Sequence, residues 1–152
     1  MDFAIRKDAR FWFRDLEDGF DNLFDPFYFC FMAGIAEMRK KDVPASETDS
    51  FVDNFPIRHY GNRARLLVGL FLSRELEYLG IAMNEKKTVH DAISKLVRPE
   101  APNFLSDAGA REFNKFAHGG YEVLLDWFDD RPRSLETFLR AFWQRIEAAE
   151  LR

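Results

Sequence analysis

The chain is poor in the features that announce a secreted, membrane-spanning or metal-binding protein. It has a single cysteine, Cys30, which cannot form an intramolecular disulfide. No charged stretch leads into an apolar one at its start, so the expectation is a cytoplasmic protein and not a secreted one. The longest nearly unbroken apolar runs, Phe27 to Ala36 and Leu66 to Leu72, fall well short of the roughly 20 residues a membrane-spanning helix needs. The three histidines, His59, His90 and His118, show no HxxxH or HExxH spacing that would bring two imidazoles to one helix face, which argues against a metal site. GxGxxG and GxxxxGK[ST] are both missing, and the isolated glycines lack the strand-turn-helix context of a phosphate cradle. No internal repeat or low-complexity tract is visible, which excludes solenoids. The expectation is therefore a chain without metal or cofactor.

What remains is an aromatic-rich chain of one-domain size. Its 152 residues fall below the roughly 250 at which cores usually divide, so residues 1–152 read as a single helical domain. Hydrophobic residues at 47% and charged residues at 32% exclude a disordered or collagen-like chain. The 17 phenylalanines have two readings. They can form a bulky core, since each buried ring removes on the order of 150–250 Å² from water. Some can instead form a sticky face for a partner. Leftover apolar area of this kind also favours a symmetric homo-oligomer.

Periodicity points to helices. Leu135, Phe138, Leu139, Phe142, Trp143, Ile146 and Ala149 recur every three or four residues behind a Ser134 N-cap. Ser106 to Phe128 repeats the pattern, and its Gly119-Gly120 pair implies close approach by another element. Thr88 and Asp91 resemble a capping box for a short helix that stops near Arg98-Pro99. Gly61 to Leu79 is apolar nearly all round and reads as a central helix buried on most faces. Asp25-Pro26 opens a helix to about Lys40. Phe3 and Ile5 alternate as a short strand would, ahead of a helix from about Lys7. Residues 42–56 are acidic and proline-bounded and read as a mobile loop. The fold class is all-α: a compact bundle of about six helices with a short extended N-terminal arm.

Chemistry leaves few traces. Cys30 sits among apolar neighbours that disfavour its thiolate, which suits a buried structural thiol. His118 has Asn114 and Glu122 a turn away on either side, a polar row that fits a packed or solvated stripe better than a catalytic base, although a small hydrolase there predicts a pocket around His118. Cations are clustered although the net charge is -4. Arg58, Arg63, Arg65 and Arg74 lie in a stretch, Asn54 to Arg74, that holds no acidic residue. Arg39-Lys40-Lys41 form a second cluster, and Arg6, Lys7, Arg10 and Arg14 a third. Guanidinium groups suit phosphate contacts, so clusters that converge favour a nucleic-acid backbone, while clusters that scatter or pair with acids do not.

The order of elements resembles a known family. Ile5-Arg6-Lys7-Asp8-Ala9-Arg10, the cysteine-containing Phe29-Cys30-Phe31-Met32-Ala33-Gly34-Ile35-Ala36, and Leu105-Ser106 with Phe113 through Leu125 are similar to the arm, the following apolar helix and the later helix of the DndE family of DNA sulfur-modification (phosphorothioation) proteins. The resemblance implies a non-catalytic helical accessory or scaffold subunit of a prokaryotic DNA-modification or anti-phage defence complex. Its partners would be larger subunits, including an ATPase and a sulfur-transfer enzyme, with DNA as a second ligand. The acidic balance and longer C-terminal helix depart from the family pattern and weaken DNA binding more than scaffolding. On this reading DNA contact falls to Arg6, Lys7, Arg10, Arg39, Lys40, Lys41, Arg58, Arg63 and Arg65. The alternative is a purely protein-binding helical module with no nucleic-acid role.

Overall fold

The computed structural model describes residues 1–56 and 60–150. Along them run strand β1 (Phe3–Arg6), helix α1 (Lys7–Trp12), a 3-10 segment (Arg14–Gly19), α2 (Phe24–Glu37), a second 3-10 turn (Ala45–Glu47), β2 (Thr48–Val52), α3 (Ala64–Tyr78), α4 (Lys86–Leu96), α5 (Asp107–Trp127) and α6 (Leu135–Glu150). The chain is thus mostly helical, with one small sheet in which β1 pairs with β2. The 3-10 segments and the strand pair mean that the expected bundle of about six helices is not matched one for one. Residues 42–56, expected to be a loop throughout, contain the 3-10 turn and all of β2. The reason is non-local: a short edge strand gains its hydrogen bonds from a partner far away in sequence, here the N-terminal arm. Contacts divide the chain into two units, where its length suggested one core. The first unit takes in Met1–Phe3 and Val52–Asn114; the second takes in Ala4–Phe51 and the chain from Lys115 onward.

In the first unit α3 buries Ala64, Leu67, Val68, Phe71, Glu75 and Leu76, positions three and four apart that share one helix side. The rings of Phe3, Phe55, Phe71 and Phe113 meet there, with Phe113 5.2 Å from Phe3 and 5.3 Å from Phe71. The expectation that α3 is buried on most faces is corrected, because Leu66 is 64% exposed and Gly69 faces open space. Its apolar composition exceeds what its neighbours cover. Helix α4 starts at Lys86, not at a Thr88 cap, and no side chain caps it. Ser106 is the cap that works. Its hydroxyl accepts from the Gly109 N–H at 3.0 Å and donates to the Lys95 carbonyl at 2.6 Å, which fixes the start of α5.

In the second unit Phe138 of α6 is the centre of the core. Its ring lies 5.4 Å from Phe13, 5.1 Å from Phe29, 5.3 Å from Phe128 and 5.7 Å from Phe142. Edge-on and offset contacts of this kind add about 0.5–1.5 kcal/mol per pair beyond area burial. Helix α2 begins two residues before the expected Pro26 start, with Asn22 Oδ1 accepting from the Phe24 N–H at 2.8 Å. It ends at Met38, whose left-handed backbone (φ 54°) turns the Arg39 N–H onto the Gly34 carbonyl at 2.9 Å. The glycines of α5 serve the close approach that the sequence suggested. A side chain at Gly120 would collide with the Cys30 carbonyl, and one at Gly34 with that of Phe116.

Candidate functional site

Helix α1 follows directly from β1 and inherits its register. Ala9, Trp12, Phe13 and Leu16 turn inward and are buried. That leaves Lys7, Arg10, Phe11 and Arg14 on the opposite side, spaced so that they share one face. Phe11 is 65% exposed. The Arg14 guanidinium lies 3.8 Å from the centre of the Phe11 ring and donates to the Phe11 carbonyl at 2.8 Å, so the ring is braced instead of swinging freely.

Several cavities border this face. A groove of about 260 Å³ runs between Lys7, Arg10, Phe11, Arg14, Glu17 and Asp49. Next to it, sharing Arg10 and Glu17, is an apolar pocket of about 230 Å³ floored by Phe13, Phe20, Leu23 and Pro26. Phe11 and Arg14 also border a cavity of about 420 Å³ lined by Trp12, Tyr121, Leu125 and Phe128 together with the charged Asp8, Asp129, Asp130 and Arg131. Leu125 is itself exposed. An exposed aromatic ring bordering a charged groove on one hand and a partly aromatic cavity on the other is an arrangement from which protein-binding anchors are made.

The cations singled out in the sequence meet different fates. Arg6 is consumed by the fold: its side chain is 16% exposed. It donates through Nε and Nη2 to Asp8 at 3.0 and 2.9 Å and through Nη1 to Glu122 at 3.1 Å, and it lies 5.0 Å from the Tyr121 ring centre. Burial alone would lower its pKa, but the two carboxylates outweigh that and hold it raised. Arg10 is paired with Asp49 at 2.8 Å and Arg39 with Asp126 at 2.8 Å. The Lys40 ammonium lies 5.3 Å from the Phe116 ring. Lys7 and Lys41 are exposed and carry no carboxylate partner among the described residues. The same holds in the first unit for Arg63 and Arg65, the latter 5.8 Å from the Phe104 ring. Arg58 and His59 lie outside the described residues. Within the second unit the structure therefore brings Lys7, Arg10 and Arg14 to one groove, whereas Arg6, Arg39 and Lys40 are engaged by the protein itself.

The chemistry-bearing singletons are interior groups. Cys30 is buried, and burial pushes its thiol well above the usual range. His118 is 5% exposed, its Nδ1 has no hydrogen-bond partner, and burial together with the Arg6 charge lowers its pKa to about 4. Its expected polar row is divided among other tasks. Glu122 holds Arg6, and Asn114 donates to the Asp2 carbonyl at 3.1 Å. Among the described residues no three His, Cys, Asp or Glu side chains are grouped to hold a metal ion, and no helix is long and apolar enough to cross a membrane.

The sequence left the aromatic residues open between a core and a partner-binding face and did not single out Phe11. The signal was present, since Phe11 falls off the Ala9–Phe13–Leu16 stripe and so had to point away from the core. No family model, curated protein or solved structure matches the chain.

Proposed function

We propose that the protein is a cytoplasmic, non-catalytic docking subunit that uses the α1 face around Phe11 to hold a larger protein. Both readings open to the sequence, the accessory scaffold of a DNA-modification or anti-phage defence complex and the purely protein-binding module, need such a face, with adhesion to protein as the main activity. The observation that carries it is the exposed Phe11 ring, braced by Arg14, which borders both the charged groove and the cavity lined by Trp12, Tyr121 and Phe128. The ion pairs of Arg6, Arg10 and Arg39 favour protein over DNA, because a guanidinium already satisfied by a carboxylate must break that contact to meet a phosphate. The test is affinity purification of the tagged chain from its native host after nuclease treatment. The unaltered chain should retain a stoichiometric protein partner, and Phe11→Glu should lose it. Equal retention by both would end the proposal.

DNA contact has narrower support, in the exposed cations of each unit taken by itself: Lys7 and Lys41 in the second, Arg63 and Arg65 in the first. Replacing all four by alanine should abolish any shift of duplex DNA seen at low salt, and the shift should fade steeply as salt rises. Binding that survives the replacement removes these residues from the role.

A further inference from the structure

We infer that the segment bound at this face is an acidic stretch of the partner carrying one bulky apolar residue, which enters the pocket floored by Phe13, Phe20, Leu23 and Pro26. The inference rests on the docking reading and names the chemistry of its ligand. Size is the first argument. At about 230 Å³ the pocket is below the roughly 300–1,000 Å³ typical of cofactor and small-molecule sites, yet it is apolar and large enough to take a single side chain as an anchor. Charge is the second. The chain is acidic overall, but the groove adjoining the pocket presents Lys7, Arg10 and Arg14 against Glu17 and Asp49. Asp49 is already engaged by Arg10. Lys7 and Arg14 have no carboxylate partner among the described residues, and Arg14 is held in place over Phe11. With Arg10 and Asp49 paired, Lys7 and Arg14 face Glu17 alone, so the groove keeps one net positive charge on an acidic unit, beside an apolar hole. Its complement is a peptide with carboxylates flanking a Leu, Phe or Trp.

Selection from a displayed random dodecapeptide library against the full chain tests this, followed by binding of the enriched peptides in solution. The expected peptides carry several Asp or Glu around one bulky apolar residue. They should bind about tenfold or more weakly to the Lys7→Glu/Arg14→Glu double variant, and changing their apolar residue to Ala should cost a similar factor. Both substituted side chains are off the core, so the variant should keep the thermal midpoint of the parent. Enriched peptides that need Phe11 but are neutral or basic, and that ignore the double variant, overturn the acidic assignment while leaving the docking face standing. Peptides indifferent to Phe11→Ala overturn the docking reading itself. A DNA oligonucleotide that occupies the face in place of every peptide overturns the inference in favour of a nucleic-acid ligand.

Discussion

His118 carries the clearest consequence at the scale of single residues. Its pKa falls from an ordinary 6.5 to about 4 in the folded chain, so the unfolded chain binds the extra proton first as pH drops. The stabilisation is complete above about pH 6.5 and is lost progressively down to about pH 4, a total of about 3 kcal/mol. Urea unfolding across that range should show the wild type losing stability faster than His118→Gln, which has nothing to titrate. Parallel slopes would contradict the burial argument. Arg6 allows a second check. Arg6→Ala strands Asp8 and Glu122 and empties the contact with Tyr121, which should cost about 2 kcal/mol. Arg6→Lys should recover only part, because an ammonium cannot serve two carboxylates with a planar fork. Residues of this kind divide by legibility. The burial of Cys30 could be read from its apolar neighbours. The use of Arg6 as a half-buried bracket could not, because Glu122 lies on a helix more than a hundred residues away.

At the scale of elements, glycines separate two physical situations that look alike in sequence. Gly120 in α5 sits against the Cys30 carbonyl, so Gly120→Ala forces backbone apart and should destabilise by about 1–3 kcal/mol or more. Gly69 in α3 faces open space, so Gly69→Ala should raise stability by about 0.5–1 kcal/mol, through helix propensity alone. Thermal melts of the two variants should move in opposite directions. The paired glycines advertised a close approach in advance, whereas the exposed Leu66 beside Gly69 broke the expectation of a helix covered nearly all round. Composition reports how apolar a helix is and not how many neighbours it has. Strand β2 was hidden for a related reason: its partner is the N-terminal arm, and pairing across that distance leaves no local period beyond a few residues. The helices α2, α5 and α6, with long apolar stripes, were legible to within a few residues at each end.

At the scale of the whole molecule the aromatic side chains divide into buried and exposed ones, with Phe11, Tyr78 and Trp143 among the exposed. Most phenylalanines build the interiors of the two units, each around its own ring cluster. Phe11 is left outside, where it adds nothing to a core, and Phe11→Ala should change stability by less than about 0.5 kcal/mol while removing partner binding. That separation of stability from binding distinguishes an adhesive surface from a badly covered core. The most direct measurement places a photoreactive benzoylphenylalanine at position 11 and, as a control, at exposed Lys95 of α4, with irradiation in the native host. The expected result is one discrete crosslinked protein species from position 11 and none from position 95. The contradicting result is no protein adduct at position 11, or the same adducts from both positions.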